Sequence, residues 1–123
     1  MLCLAALVGC SREPKAVRVE LTAIGTSPAW SVEVASNAVT FRRASAPTLV
    51  FPSTAPDTGA GRRRWRGRRA LTEPLFELMV EPQPCRDGTT ATEYPFTAAV
   101  TWADSTWSGC AVDGAIRPTA TGR

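Results

Sequence analysis

Between Cys85 and Cys110, Tyr94, Phe96, Ala98, Val100 and Trp102 occupy every second position, with Pro95, Thr97, Ala99 and Thr101 between them. A period of two sends alternate side chains to opposite faces of an extended chain, so this spacing predicts a strand with one face on a core. Ala103, Asp104, Ser105 and Thr106 are short and polar, and they lead into Trp107–Val112. The simplest geometry is an antiparallel hairpin with a short loop, entered through a turn at Asp87-Gly88. In an oxidising compartment a Cys85–Cys110 disulfide would close a loop of about 25 residues and stabilise the fold by about 3–4 kcal/mol in the chain-entropy model. The alternative is a pair of reduced, buried cysteines acting as small hydrophobes.

The rest of the chain supplies further strands. At 123 residues it suits one domain with a modest core, and ten prolines and nine glycines favour short strands and turns. No window supports a long amphipathic helix. Val17, Val19, Leu21 and Ala23 alternate with Arg18, Glu20 and Thr22, a first strand with one wet face. Gly25-Thr26-Ser27-Pro28 breaks it, and Trp30, Val32 and Val34 resume the alternation. Val39 with Phe41, Thr48–Phe51 and Leu75–Val80 read as three more strands, whereas residues 52–61 have loop composition. The expectation is an all-β domain over residues 16–114, an antiparallel sheet of about eight short strands forming a small barrel with one disulfide, followed by a frayed tail at 115–123.

At the N-terminus the apolar run 2–9 ends in Leu7-Val8-Gly9-Cys10. This resembles the lipobox of bacterial lipoproteins, which implies that Cys10 carries the lipid, that 1–9 is a removed signal peptide and that Ser11–Lys15 is a tether. The run is far shorter than the roughly 20 residues that span a bilayer. It lacks a basic segment ahead of it, which predicts a start upstream of Met1. Cys3 is then a leader residue without a role. Cys85 and Cys110 remain for the folded part, an even number that suits one bridge. By analogy with lipoprotein sorting, the absence of Asp after Cys10 favours the outer membrane.

One segment is electrostatically unusual. Arg62, Arg63, Arg64, Arg66, Arg68 and Arg69 surround Trp65 and Gly67; without these six the 14 basic residues fall to 8 against 11 acidic, a net of −3. Such a patch can attract anionic lipid or lipopolysaccharide, or bind phosphate and stack on bases. The simpler reading is a solvated loop or an edge strand whose like charges discourage edge pairing. For a secreted chain, nucleic acid is not the expected partner.

Two stretches carry a resemblance. Leu21–Val34, "LTAIGTSPAWSVEV", and Glu81–Ala111, with its Cys-x-Asp-Gly turn, Tyr-Pro strand and Gly-Cys, are similar to the opening and closing motifs of a group of small uncharacterised bacterial lipoproteins. That group is related in character to META-type heat-shock domains and lysozyme-inhibitor lipoproteins. The resemblance implies that Cys85 and Cys110 form the bridge and that Trp30 and Tyr94 are structural aromatics. Ser27 stands where the group has an acidic or amide residue and Ala29 where it has an aromatic, so any site built on the opening motif is weakened here.

The absence of histidine rules out a Ser-His-Asp triad, a Cys-His pair and a histidine-based zinc site within this chain. Glu20, Glu33, Glu77 and Glu81 fall at polar strand phases, where a solvated face is the simpler reading than a catalytic pair, and neither a cofactor nor a metal site is expected. Four tryptophans read as core and rim packing rather than a ligand cup. The functional expectation is a non-enzymatic, membrane-anchored envelope lipoprotein with a structural or stress-related role. The alternative is a periplasmic binding or inhibitor module for an anionic ligand or an envelope hydrolase. A basic hydrolase such as lysozyme suits the arginine run poorly, because like charges repel.

Overall fold

The computed structural model describes residues 18–26, 28–86 and 92–116. Cys3, Cys10, Val17, Ser27, the Asp87-Gly88 turn and tail residues 117–123 lie outside the described residues. Among the described residues every regular element is a strand: β1 Val19–Thr26, β2 Ala29–Ala35, β3 Ala38–Arg43, β4 Leu49–Pro52, β5 Asp57–Gly59, β6 Arg62–Gly67, β7 Phe76–Glu81, β8 Cys85–Arg86, β9 Glu93–Tyr94, β10 Phe96–Trp102 and β11 Ser105–Asp113. Nine of them form one antiparallel sheet in the order β4-β3-β2-β1-β11-β10-β7-β6-β5, and β8 pairs with β9 alone.

The alternation seen in the sequence decides which face is buried. Leu21 and Ala23, Trp30, Val32 and Val34, Val39 and Phe41, Leu49 and Phe51, Trp65, Phe76, Leu78 and Val80, Ala98 and Val100, and Ala111 all project to the concave side and form one core. The sheet curls until side chains from β3 and β4, at one end, meet β7, the third strand from the other. Phe51 of β4 stacks on Phe76 of β7 with ring centroids 4.6 Å apart, and Phe41 of β3 lies 5.5 Å from the same ring. These strands are well separated in sheet order, so the contacts hold the sheet curled as a half-barrel, and not as the small barrel expected, without a ladder of hydrogen bonds between its edges. Gly67 permits the approach, since a Cβ there would sit 3.0 Å from the Phe51 Cβ.

Trp30 solves a second packing problem. Its indole lies across β1 at Gly25 and donates a hydrogen bond from Nε1 to the Ser108 carbonyl of β11, 3.2 Å away. A Cβ on Gly25 would collide with that indole, and one on Gly109 would collide with the Ile24 carbonyl oxygen. Gly25 therefore sits inside β1 as an apposed small residue and does not break the strand as its composition suggested; the reversal comes after Thr26, which pairs with Ala29. A buried indole N–H left without an acceptor would cost about 1–3 kcal/mol, so the bond to Ser108 makes this burial tolerable.

Four further readings change. Residues 52–61 contain a strand, β5, whose three residues are all exposed. Edge pairing uses the backbone alone, so apolar composition gave no warning of it. The hairpin into β6 turns at Ala60 and Gly61, both at positive φ. Tyr94 belongs to the short β9, paired with Cys85, and not to the long strand that Phe96 begins. The count of eleven strands exceeds eight because β5, β8 and β9 are two or three residues long. The wet face expected of β1 is also partly covered, with Thr22 buried and its hydroxyl donating to the Gly114 carbonyl at 2.9 Å.

The β10–β11 hairpin has the expected form, with Trp102 opposite Ser105 across a two-residue loop. Cys110 points to the convex face, where it is disulfide-bonded to Cys85 with Cα atoms 5.4 Å apart. The bridge thus fastens β8 and β9 to the outside of β11.

The two glycine environments give a matched test. Gly25→Ala forces the Trp30 indole to move and is expected to cost about 1–3 kcal/mol by chemical denaturation. Gly59→Ala, in open space, is expected to stay within about 0.5 kcal/mol of the parent.

Candidate functional site

The arginine run is the only sequence feature that suggested a binding surface, and the structure distributes it over both faces of one strand and the turn that follows. On β6, Trp65 is buried, which sends Arg63 to the concave side and Arg62, Arg64 and Arg66 to the convex side. Arg63 reaches along the mouth of the half-barrel: its guanidinium lies 4.9 Å from the Phe96 ring centre and 5.7 Å from that of Trp65, and Nη1 donates to the Asp113 carboxylate at 3.0 Å. It is a half-buried rim residue that ties β6 to the end of β11.

The convex arginines face β7, whose outward residues are Glu77, Met79 and Glu81. Arg64 opposes Met79 and Arg66 opposes Glu77 in the ladder. Arg62 Nε is 3.6 Å from Glu81, and Arg64 reaches diagonally to Glu77 at 2.9 Å. Asp57 of β5 stands directly opposite Arg64 on the other side. The basic run therefore becomes a stripe of cation beside a stripe of anion. Cross-strand charge pairs of this kind contribute a few tenths of a kcal/mol each, and their larger effect here is to cancel the local field. Beyond the strand, Arg69 is bonded to Glu73. Among the described residues, Arg66 and Arg68 form no ion pair.

Two shallow grooves flank this ladder on the convex face. One, of about 220 Å³, lies over Asp57, Arg62, Arg64 and Met79. The other, of about 340 Å³, crosses β7, β10 and β11 over Thr97, Ala99, Ser108 and Gly109, whose small side chains leave its floor low. Each is lined by a single carboxylate, Asp57 in the first and Glu81 in the second, so neither holds a pair of facing carboxylates.

At the opposite end of the sheet, sequence reading missed Arg43. It points inward from β3, stacks 5.0 Å from the Trp102 ring centre and 5.3 Å from that of Phe41, and donates to the Pro47 carbonyl at 3.0 Å. The signal was present in the phase of Val39, Phe41 and Arg43, which places the arginine on the apolar side. Trp102 and Trp107 pack against the core as half-buried rim residues, and Trp30 and Trp65 lie within it.

Fold and surface together define a small, disulfide-stapled, curled antiparallel sheet with charge-matched outer strands. The chain matches no family model, no curated protein and no solved structure.

If the acids of β7 mask the arginines of β6, removing them should unmask the patch. The Glu77→Gln/Glu81→Gln double variant is expected to need markedly more salt for elution from a sulfonate cation exchanger than Glu20→Gln/Glu93→Gln, which carries the same net charge. Equal elution of the two would show that the ladder does not screen the run.

Proposed function

We propose that this chain is the folded part of a non-enzymatic lipoprotein of the bacterial envelope, tethered through Cys10 at the outer membrane and serving a structural or stress-related role on the periplasmic side. The observation that carries the reading is the Cys85–Cys110 disulfide on the convex face. Structural disulfides persist in oxidising compartments, and here one holds a peripheral two-strand excursion that buries little apolar surface of its own. The lipobox-like Leu7-Val8-Gly9-Cys10 supplies the means of attachment, and Ser11–Lys15 supplies a short polar link.

A structural role is favoured over capture of an anionic ligand by the pairing of Arg62, Arg64 and Arg69 with acids of the same chain. A ligand would have to displace those partners before it gained the cations. The resemblance to small envelope lipoproteins points the same way, although Ser27 and Ala29 depart from its opening motif.

Metabolic labelling with radioactive palmitate in a Gram-negative host tests the tether. Label is expected on the wild-type chain in the membrane fraction, and Cys10→Ser should lose the label and release the protein. A wild-type chain that is unlabelled, or whose Cys85 and Cys110 are free thiols in the envelope, refutes the reading.

A further inference from the structure

We propose that the turn joining β6 to β7 is a membrane-contact loop, which sets Leu71 into the interfacial layer of a bilayer containing anionic lipid. Leu71 is 90% exposed and Leu75, four residues on, is 40% exposed; together with Val50 they are the large apolar side chains most open to water among the described residues. Isolated exposed leucines are common, so their setting carries the argument.

The turn is built to hold Leu71 outward. Arg69 donates through Nε and Nη2 to both oxygens of Glu73, at 2.8 and 3.2 Å, and the Glu73 amide donates to the Ala70 carbonyl at 3.0 Å. These bonds span the tip and fix it before any partner arrives, which lowers the ordering cost of docking. The adjacent charge is positive: Arg69 is neutralised by Glu73, whereas the exposed Arg68, and the exposed Arg66 opposite a Glu77 that is bonded to Arg64, form no ion pair among the described residues. An apolar tip beside unmatched arginines fits a surface that offers a hydrocarbon boundary beneath anionic headgroups. An acidic protein would satisfy the arginines and leave Leu71 in water.

The loop sits at the end of the sheet where β10 finishes at Trp102, whereas β1 begins at the other end, beside Asp113. The eight residues from Ser11 to Arg18 reach at most about 29 Å. That is close to the length of the nine-residue β11, about 30 Å. A domain anchored at Cys10 can thus lie along its own membrane with the loop in contact. This last step rests on the anchoring proposed above; the binding does not.

The test is flotation of the full chain, unacylated through Cys10→Ser, with vesicles of phosphatidylcholine containing phosphatidylglycerol and with vesicles of phosphatidylcholine alone. Binding is expected to the anionic vesicles only and to fall as salt rises. On that background Leu71→Ser should weaken it roughly tenfold, and Arg66→Gln and Arg68→Gln should each weaken it roughly fivefold. Arg62→Gln, a control paired with Glu81, should change it less than either. Because Leu71 touches almost nothing in the folded chain, its replacement leaves folding intact. Failure to float with anionic vesicles, equal binding to both kinds, full binding by Leu71→Ser, or binding to poly-glutamate in place of vesicles overturns the proposal. Lack of palmitate on Cys10 in cells would refute the tether and leave this result standing.

Discussion

The contact on which the fold depends is made by three phenylalanines from distant strands of a sheet. Phe41 and Phe51 come from β3 and β4, Phe76 comes from β7, and six strand steps of the sheet order separate β4 from β7. An open nine-stranded sheet would leave its apolar face in water. Curling it so that these rings meet covers that face without any second layer. Each ring is fully buried, which is worth about 1.5–3 kcal/mol per side chain, and offset or tilted ring pairs add about 0.5–1.5 kcal/mol. The same closure explains Gly67 on β6, where an added Cβ would meet the Phe51 side chain.

Closure by side chains leaves the two sheet edges with unpaired backbone, and both edges are kept unattractive for pairing. β4 is four residues long and ends at Pro52, which has no N–H to donate. β5 is three residues long, fully exposed and begins with Asp57. Behind it the charged ladder of β6 and β7 covers the convex face. The disulfide acts on that face as well, holding β8 and β9 against β11, where no apolar layer would hold them. Inside, aromatic contact sets the curvature; outside, ion pairs and one covalent bond fix what the core cannot reach.

Much of this architecture was legible in the residues. Period-two spacing from Phe96 to Trp102 and from Trp30 to Val34 identified strands and their buried phases, because a strand covered on one face must alternate. The bridge was legible from cysteine count and spacing. Gly25 was misread because glycine beside Thr, Ser and Pro has the composition of a turn, and only the position of the Trp30 indole shows why a side chain is excluded there. β5 was invisible because edge pairing of exposed residues leaves no apolar signature. The arginine run was conspicuous in the sequence, but its partners Glu77, Glu81 and Asp113 are distant in the chain, so its neutralisation emerges only once β6, β7 and β11 are assembled. The turn at Leu71 was hidden for a similar reason, since exposure is a property of the fold.

The most direct measurement of the central claim, that aromatic contact between strands distant in the sheet closes it, is a double-mutant cycle on Phe51→Leu and Phe76→Leu read by chemical denaturation. Stacked rings predict that the two substitutions together cost less than their sum, with a coupling of about 0.5–1.5 kcal/mol. Strictly additive losses would mean that β4 and β7 do not touch, and the sheet would have to be held closed by some other contact.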